Sequence, residues 1–154
     1  MLALVVILTF STSLVLEIWS RKMKSNGRHE GISNMVNDTK ETSLSFGMLI
    51  QLMLFAVGNA VCEEAEFRGL FFNELESTGL YSVATSNVIQ SFSFGMAHWY
   101  GVPSGATGVL LTFVYGLVMG LLRIFGSGGM FLPILCHAIA DLFIFVVVAR
   151  KKFV

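Results

Sequence analysis

Residues 61–72 read VCEEAEFRGLFF, which places three carboxylates and one arginine in a run flanked on both sides by largely apolar residues. The chain of 154 residues is 55% hydrophobic and only 13% charged, about half the charged fraction typical of soluble domains. Insertion scales penalise a charged side chain at the centre of a membrane helix by roughly 2.5–3.5 kcal/mol. The cluster must therefore be sheltered from lipid, and ionisable residues in such a position indicate a functional site.

In a helix, the two adjacent glutamates of this cluster point in different directions. Glu64 and Arg68 stand four residues apart with the acid on the N-terminal side, which is the favourable order for an ion pair on one helix face. Glu63 points about 100° away around the same helix, so it need not share the arginine. We therefore expect the partner of Glu63 on another helix.

The apolar runs predict an all-α fold, a polytopic membrane helical bundle of about five transmembrane helices. The first run, residues 1–19, comes close to crossing a hydrocarbon core ~30 Å thick. No basic residue precedes it and no small-residue cleavage site follows it, which argues against a signal peptide. The second run exceeds a simple crossing, and Gly58 is the expected point of a bend. The four later runs cover residues 44–75, 80–99, 104–125 and 130–149.

Two basic clusters set the predicted topology. The loop at residues 20–43 has no apolar period and holds half of the basic residues, and a second basic run lies at residues 150–152. The positive-inside rule places the loop and the C-terminus in the cytoplasm, with the N-terminus outside. We predict one integral membrane domain over residues 1–154, whose core at 44–149 carries the motifs. The net charge is zero, so no nucleic-acid partner is expected.

Two histidines within the apolar runs complete a candidate polar site. His98 follows Phe94 by four residues, and His137 precedes Asp141 by four. An Asp one turn after a His can accept a hydrogen bond from the ring and fix its tautomer. A lone histidine in a membrane helix is more often a packing residue. Two histidines, an aspartate and Glu63 on three separate helices indicate chemistry instead.

Three motifs, in order along the chain, resemble those of the CAAX-protease and bacteriocin-processing family: Glu63-Glu64-x-x-x-Arg68, Phe94-x-x-x-His98 and His137-x-x-x-Asp141. This family of intramembrane endopeptidases is also known as CPBP, Abi or type II CAAX prenyl endopeptidase. The motifs cover residues 63–141, about half of the chain. The resemblance implies an all-helical membrane fold with a cavity open to the cytoplasmic side. It also implies hydrolysis of a peptide bond in a membrane-associated substrate, either prenylated or of the bacteriocin type.

The resemblance further implies a role for each motif residue. Glu63 and His98 would activate a water molecule for attack on a peptide carbonyl, while His137 and Asp141 would stabilise the oxyanion. The supporting positions would be Glu64, Arg68 and Phe94. Some members of the family carry Asn where this chain has Asp141, and an aspartate donates a hydrogen bond only when it is protonated.

The sequence leaves the use of a metal open. Two histidines and a glutamate form a ligand set that zinc accepts, so Glu63, His98 and His137 are the expected ligands if a metal is present. The spacing differs from the compact HExxH of zinc proteases, and the family also includes enzymes described as metal-independent glutamate proteases. We favour a metal-independent enzyme and name no cofactor, with a zinc metalloendopeptidase as the alternative.

Three alternative roles that involve no proteolysis also stay open. The charges could form a buried ion-pair network that only holds helices together, or the cavity could bind a peptide without cleaving it, as an immunity protein would. A proton or metal-ion carrier would instead spread ionisable groups across the membrane depth.

In the predicted topology, His98 ends one span and His137 lies near the start of a parallel one. The two rings would then lie at different depths unless a boundary shifts or a helix is broken.

Overall fold

A computed structural model describes residues 44–101 and 104–150. The predicted first span at 1–19 and the loop at 20–43 lie outside the described residues. Within the described ranges the chain forms helices and no strand, which confirms the predicted all-α class but leaves the count of five spans untested. The four helices are α1 (Phe46–Ser77), α2 (Val83–Ala97), α3 (Gly105–Phe125) and α4 (Phe131–Arg150).

Three of these helices, α1, α3 and α4, are long and apolar enough to cross a membrane. Only 11%, 28% and 22% of their most apolar windows, respectively, are buried inside the protein. Apolar surface of this extent is unfavourable in water, and the hydrocarbon of a bilayer is the environment that suits it. The helices predicted at 104–125 and 130–149 are confirmed to within one residue at each end.

The run at 80–99, predicted as a span, forms a shorter helix. α2 contains 15 residues and is about 22 Å long at 1.5 Å per residue, whereas a crossing needs about 20 residues. The Ser82 side chain accepts a hydrogen bond of 3.1 Å from the Thr85 backbone N–H and caps the start of α2. At the other end, His98 leaves helical geometry with φ −90° and ψ 14°.

α1 changes its winding directly after the glutamate pair. It is α-helical over Phe46–Glu64, π-helical over Ala65–Phe71 and α-helical again over Phe72–Ser77. The helix therefore continues through Gly58, and its departure from α geometry comes later than we expected. π turns are rare and are frequently found at functional sites. This wider turn helps to keep Glu64, Arg68 and Phe72 on one fully buried face.

The close packing of α2 against α3 depends on Gly95. A Cβ atom at this position would lie 2.7 Å from the Val109 carbonyl oxygen and 3.1 Å from the Phe113 Cβ. No other residue type permits this approach without moving a backbone, because every other side chain has a Cβ.

The described chain divides into two compact units, and each is considered by itself. One unit, Val57–Ala138, contains all of α2 and α3. The other comprises the described residues of Met1–Ala56 and Ile139–Val154, where the rings of Phe55 and Phe145 lie 5.3 Å apart. The single-domain organisation stays a prediction.

Replacing Gly95 with alanine should destabilise the protein by about 1–3 kcal/mol, because the added methyl group forces a backbone shift in a packed interface. Thermal unfolding in detergent micelles measures the effect. Gly58→Ala is the matched control, since no described atom lies within 4 Å of its Cβ position and alanine favours a helix over glycine. Equal melting temperatures for the two variants would contradict the close packing of α2 against α3 at Gly95.

Candidate active site

Glu63 lies at the centre of a polar cluster within the Val57–Ala138 unit. Its Oε2 atom is 3.6 Å from Nε2 of His98 and 3.5 Å from Nε2 of His137. Three side chains from three helices therefore meet around one carboxylate oxygen. The structure thus brings both histidines to the same carboxylate.

The short α2 explains why the difference in depth expected from the sequence does not arise. Glu63 precedes the end of α1 by about as many residues as α2 contains. Because α2 turns back from the end of α1 and is shorter than a crossing, its last turn stops near Glu63. His98 is therefore placed beside the carboxylate and not at a distant membrane surface.

The His98 ring is oriented by its own helix. Its Nδ1 atom lies 2.8 Å from the Phe94 carbonyl oxygen, and a carbonyl only accepts hydrogen bonds. Nδ1 therefore carries a proton and donates a hydrogen bond to this carbonyl. Nε2 is the nitrogen that faces Glu63, and it carries a lone pair when the ring is neutral. The side chains of His98 and Glu63 are 26% and 24% exposed, although the Glu63 Oε2 atom itself is buried.

His137 is held from a different helix and is buried. Its Nδ1 atom lies 2.7 Å from Glu64 Oε1, and an ionised carboxylate only accepts, so Nδ1 donates. The rings of Phe94 and Tyr115 stand edge-on to the imidazole at centroid distances of 5.8 and 5.9 Å. The Nε2 atom consequently faces Glu63. Glu64 therefore receives the Nδ1–H.

The ion pair predicted between Glu64 and Arg68 is confirmed. Arg68 Nη1 donates to Glu64 Oε1 over 3.1 Å, and both side chains are fully buried. The Arg68 guanidinium also lies over the Phe94 ring, with Cζ 4.2 Å from the ring centroid. Breaking a buried pair of this kind typically costs about 3–5 kcal/mol, because one charge is left uncompensated.

Asn59 was not among the residues predicted from the sequence. Its Nδ2 atom donates a hydrogen bond of 3.1 Å to Glu63 Oε1, which leaves Oε2 to face the two imidazoles. The signal in the sequence is an amide side chain one helical turn before a glutamate within an otherwise apolar stretch.

Asp141 is buried and lies one turn after His137 along α4. It belongs to the other compact unit, so its predicted part in the reaction stays a prediction. Among the described residues, no group of three or more His, Cys, Asp and Glu side chains is arranged to hold a metal ion, and metal independence stays a prediction.

A family model described as type II CAAX prenyl endopeptidase Rce1-like matches residues 45–143, more than half of the chain. The chain belongs to this family. The Rce1-like match contains every site residue named above, and it confirms the resemblance drawn from the three motifs. Because the family is one of membrane proteases and three helices suit a bilayer, the chain is an integral membrane protein. No curated protein and no solved structure matches it significantly.

Removing the Asn59 amide should lower the catalytic rate with little change in stability. In Asn59→Ala, Glu63 loses the hydrogen bond that fixes its Oε1, and misplacement of a reacting group by about 1 Å can cost up to 100-fold in rate. Steady-state cleavage of a peptide by the purified variant measures the effect. Asn73→Ala is the matched control, because Asn73 lies on α1 and accepts a hydrogen bond from Arg123 instead. Equal rates in the two variants would contradict a positioning role for Asn59.

Proposed function

We propose that this Rce1-like protein is an intramembrane endopeptidase that hydrolyses a peptide bond of a membrane-associated substrate. The observation that carries the proposal is the approach of two imidazole Nε2 atoms to one glutamate oxygen, at 3.5 and 3.6 Å. Membership of a protease family supports the reaction class. The roles of the individual residues follow from the donors and acceptors that they present.

Glu63 and His98 are the groups that we assign to water activation. Both present lone pairs, Glu63 through Oε2 and His98 through Nε2, because the Phe94 carbonyl holds the other ring nitrogen. A water molecule between them would donate one O–H bond to each and direct its own lone pair at the substrate carbonyl. Glu63 takes the proton as the new C–O bond forms. General-base catalysis of this kind typically contributes about 10²–10⁴-fold in rate.

We assign stabilisation of the oxyanion to His137 in its charged form. Since Nδ1–H donates to Glu64, Nε2 donates only when the ring is an imidazolium. In that form the Nδ1–H stays on Glu64, while the Nε2–H is available to the substrate oxygen. A charge-assisted donor aimed at the oxyanion is worth about 10²–10³-fold. Asp141 is proposed as a second donor in its protonated form.

Collapse of the tetrahedral intermediate returns the proton. Glu63, now a carboxylic acid, delivers it to the amide nitrogen as the C–N bond breaks, giving a new carboxyl group on one product and an amine on the other. The Glu63 carboxylate is then regenerated. Because Oε1 stays hydrogen-bonded to Asn59, Oε2 keeps its place through both proton transfers.

Exposure sets the side from which a substrate enters. Glu63 and His98 are partly exposed, while His137 and Glu64 are buried. The scissile carbonyl therefore approaches past Glu63 with its oxygen turned inward. The substrate that we propose is a prenylated or bacteriocin-type peptide.

The alternative functions explain fewer of the observed contacts. An ion-pair network explains Glu64 and Arg68, but it gives no reason for two histidines to face Glu63 Oε2. A carrier would spread ionisable groups along a path, whereas these groups converge. A binding or immunity protein would keep the geometry and lack turnover, and cleavage assays separate it from an enzyme.

Glu63→Gln and His98→Ala should each lower peptide cleavage by at least about 100-fold, because each removes an acceptor for the proton of the attacking water. The measurement is cleavage of a membrane-anchored peptide by protein purified in detergent. Glu66→Gln is the matched control, since Glu66 is an exposed acid on the same helix. Wild-type activity in either site variant, at unchanged melting temperature, would refute the assigned roles.

Chelators should leave the cleavage rate unchanged if Glu63 and His98 activate water without a metal. The assay adds a strong zinc chelator to the purified enzyme, followed by a titration with zinc. Inhibition that is reversed by zinc would overturn the metal-independent mechanism and assign Glu63, His98 and His137 as ligands.

A further inference from the structure

The position of the Arg68 guanidinium affects both histidines. Through Nη1 it holds Glu64 Oε1, the same oxygen that receives the His137 Nδ1–H. On its other side it lies over the Phe94 ring, and the Phe94 carbonyl receives the His98 Nδ1–H. A displacement of Arg68 would therefore reach each imidazole through a single intervening residue.

A glycine on α3 forms the wall against which Arg68 lies. A Cβ atom at Gly116 would be 3.2 Å from Arg68 Nη2, and equally close to Cα and Cβ of Ser91. Contacts this short force the neighbouring atoms to give way by a few tenths of an ångström. Arg68 is fully buried, and its guanidinium is in contact with Glu64 and Phe94, so its displacement would disturb the groups that orient the imidazoles.

We propose that Gly116 is a positioning residue of the active site, whose lack of a side chain lets the Arg68 guanidinium lie between Glu64 and Phe94. The proposal builds on the proposed endopeptidase function, although the packing that it describes can be tested without any substrate. It adds α3 to the three helices that bear the reacting side chains.

Gly120, one turn further along α3, shows that the two glycines serve different neighbours. A Cβ atom there would collide with the Asn87 side-chain amide, at 1.7 Å from Oδ1. Asn87 in turn donates to the Leu117 carbonyl over 3.2 Å. Gly120 thus accommodates a polar side chain of α2, whereas Gly116 accommodates the arginine of α1. This difference supplies a matched control on the same helix.

The test is a double-mutant cycle between Gly116→Ala and Arg68→Lys. Lysine retains the positive charge but lacks the Nη2 atom that the alanine methyl group would meet. We expect Gly116→Ala alone to lower kcat about tenfold with KM changed less than twofold, since a misplacement of about 1 Å can cost 100-fold. In the Arg68→Lys background the same substitution should cost less than twofold in kcat. The contact with Ser91 is present in both backgrounds and cancels in the comparison.

The control cycle pairs Gly120→Ala with Arg68→Lys, and its two effects on kcat should multiply. A Gly116→Ala effect of equal size in both backgrounds would overturn the proposal, and so would equal coupling in the control cycle.

Melting temperatures in detergent give a second readout that needs no activity, and Gly116→Ala should lower the melting temperature less when residue 68 is lysine. If Gly116→Ala alone does not fold, Arg68→Lys should restore folding, and failure of the double variant to fold would refute the proposal. A wild-type protein that cleaves no peptide but shows the coupling in melting temperature would refute the proposed function alone.

Discussion

The buried carboxylate of Glu64 is the interaction on which the rest of the site depends. A charge removed from water must be paired and hydrogen-bonded, and Glu64 meets this need with Arg68 from its own helix and His137 from α4. Both partners donate to the same oxygen. One electrostatic requirement therefore joins two helices and fixes the tautomer of a histidine, and the adjacent Glu63 is left to face both imidazoles.

Two departures from regular geometry make this arrangement possible. The π-helical turn at Ala65–Phe71 comes directly after the glutamate pair and helps to align the buried face of α1. The 15-residue α2 ends directly before His98 and brings that ring back to the level of Glu63. Both features belong to the backbone, whereas the chemistry is carried by side chains. The site is thus assembled by helices that differ in length and winding from simple membrane crossings.

The sequence predicted local relations well and relations between helices only in part. The pair Glu64–Arg68 follows from spacing alone, because residues four apart share a helix face, and the motif pattern identified His98 and His137. The link from Glu64 to His137 could not be predicted, since spacing within one helix carries no information about which residue of a distant helix approaches it. Asn59 was overlooked for a related reason: an isolated amide in an apolar helix acquires meaning only when its acceptor is seen.

The most direct test of the central claim compares peptide termini in membranes that carry the wild-type chain or Glu63→Gln. If carboxylate 63 activates water for amide hydrolysis, new carboxyl and amino termini of membrane-associated peptides should appear with the wild type and be absent with the variant. Identical sets of termini in both membranes, at equal protein levels, would contradict hydrolysis at this site.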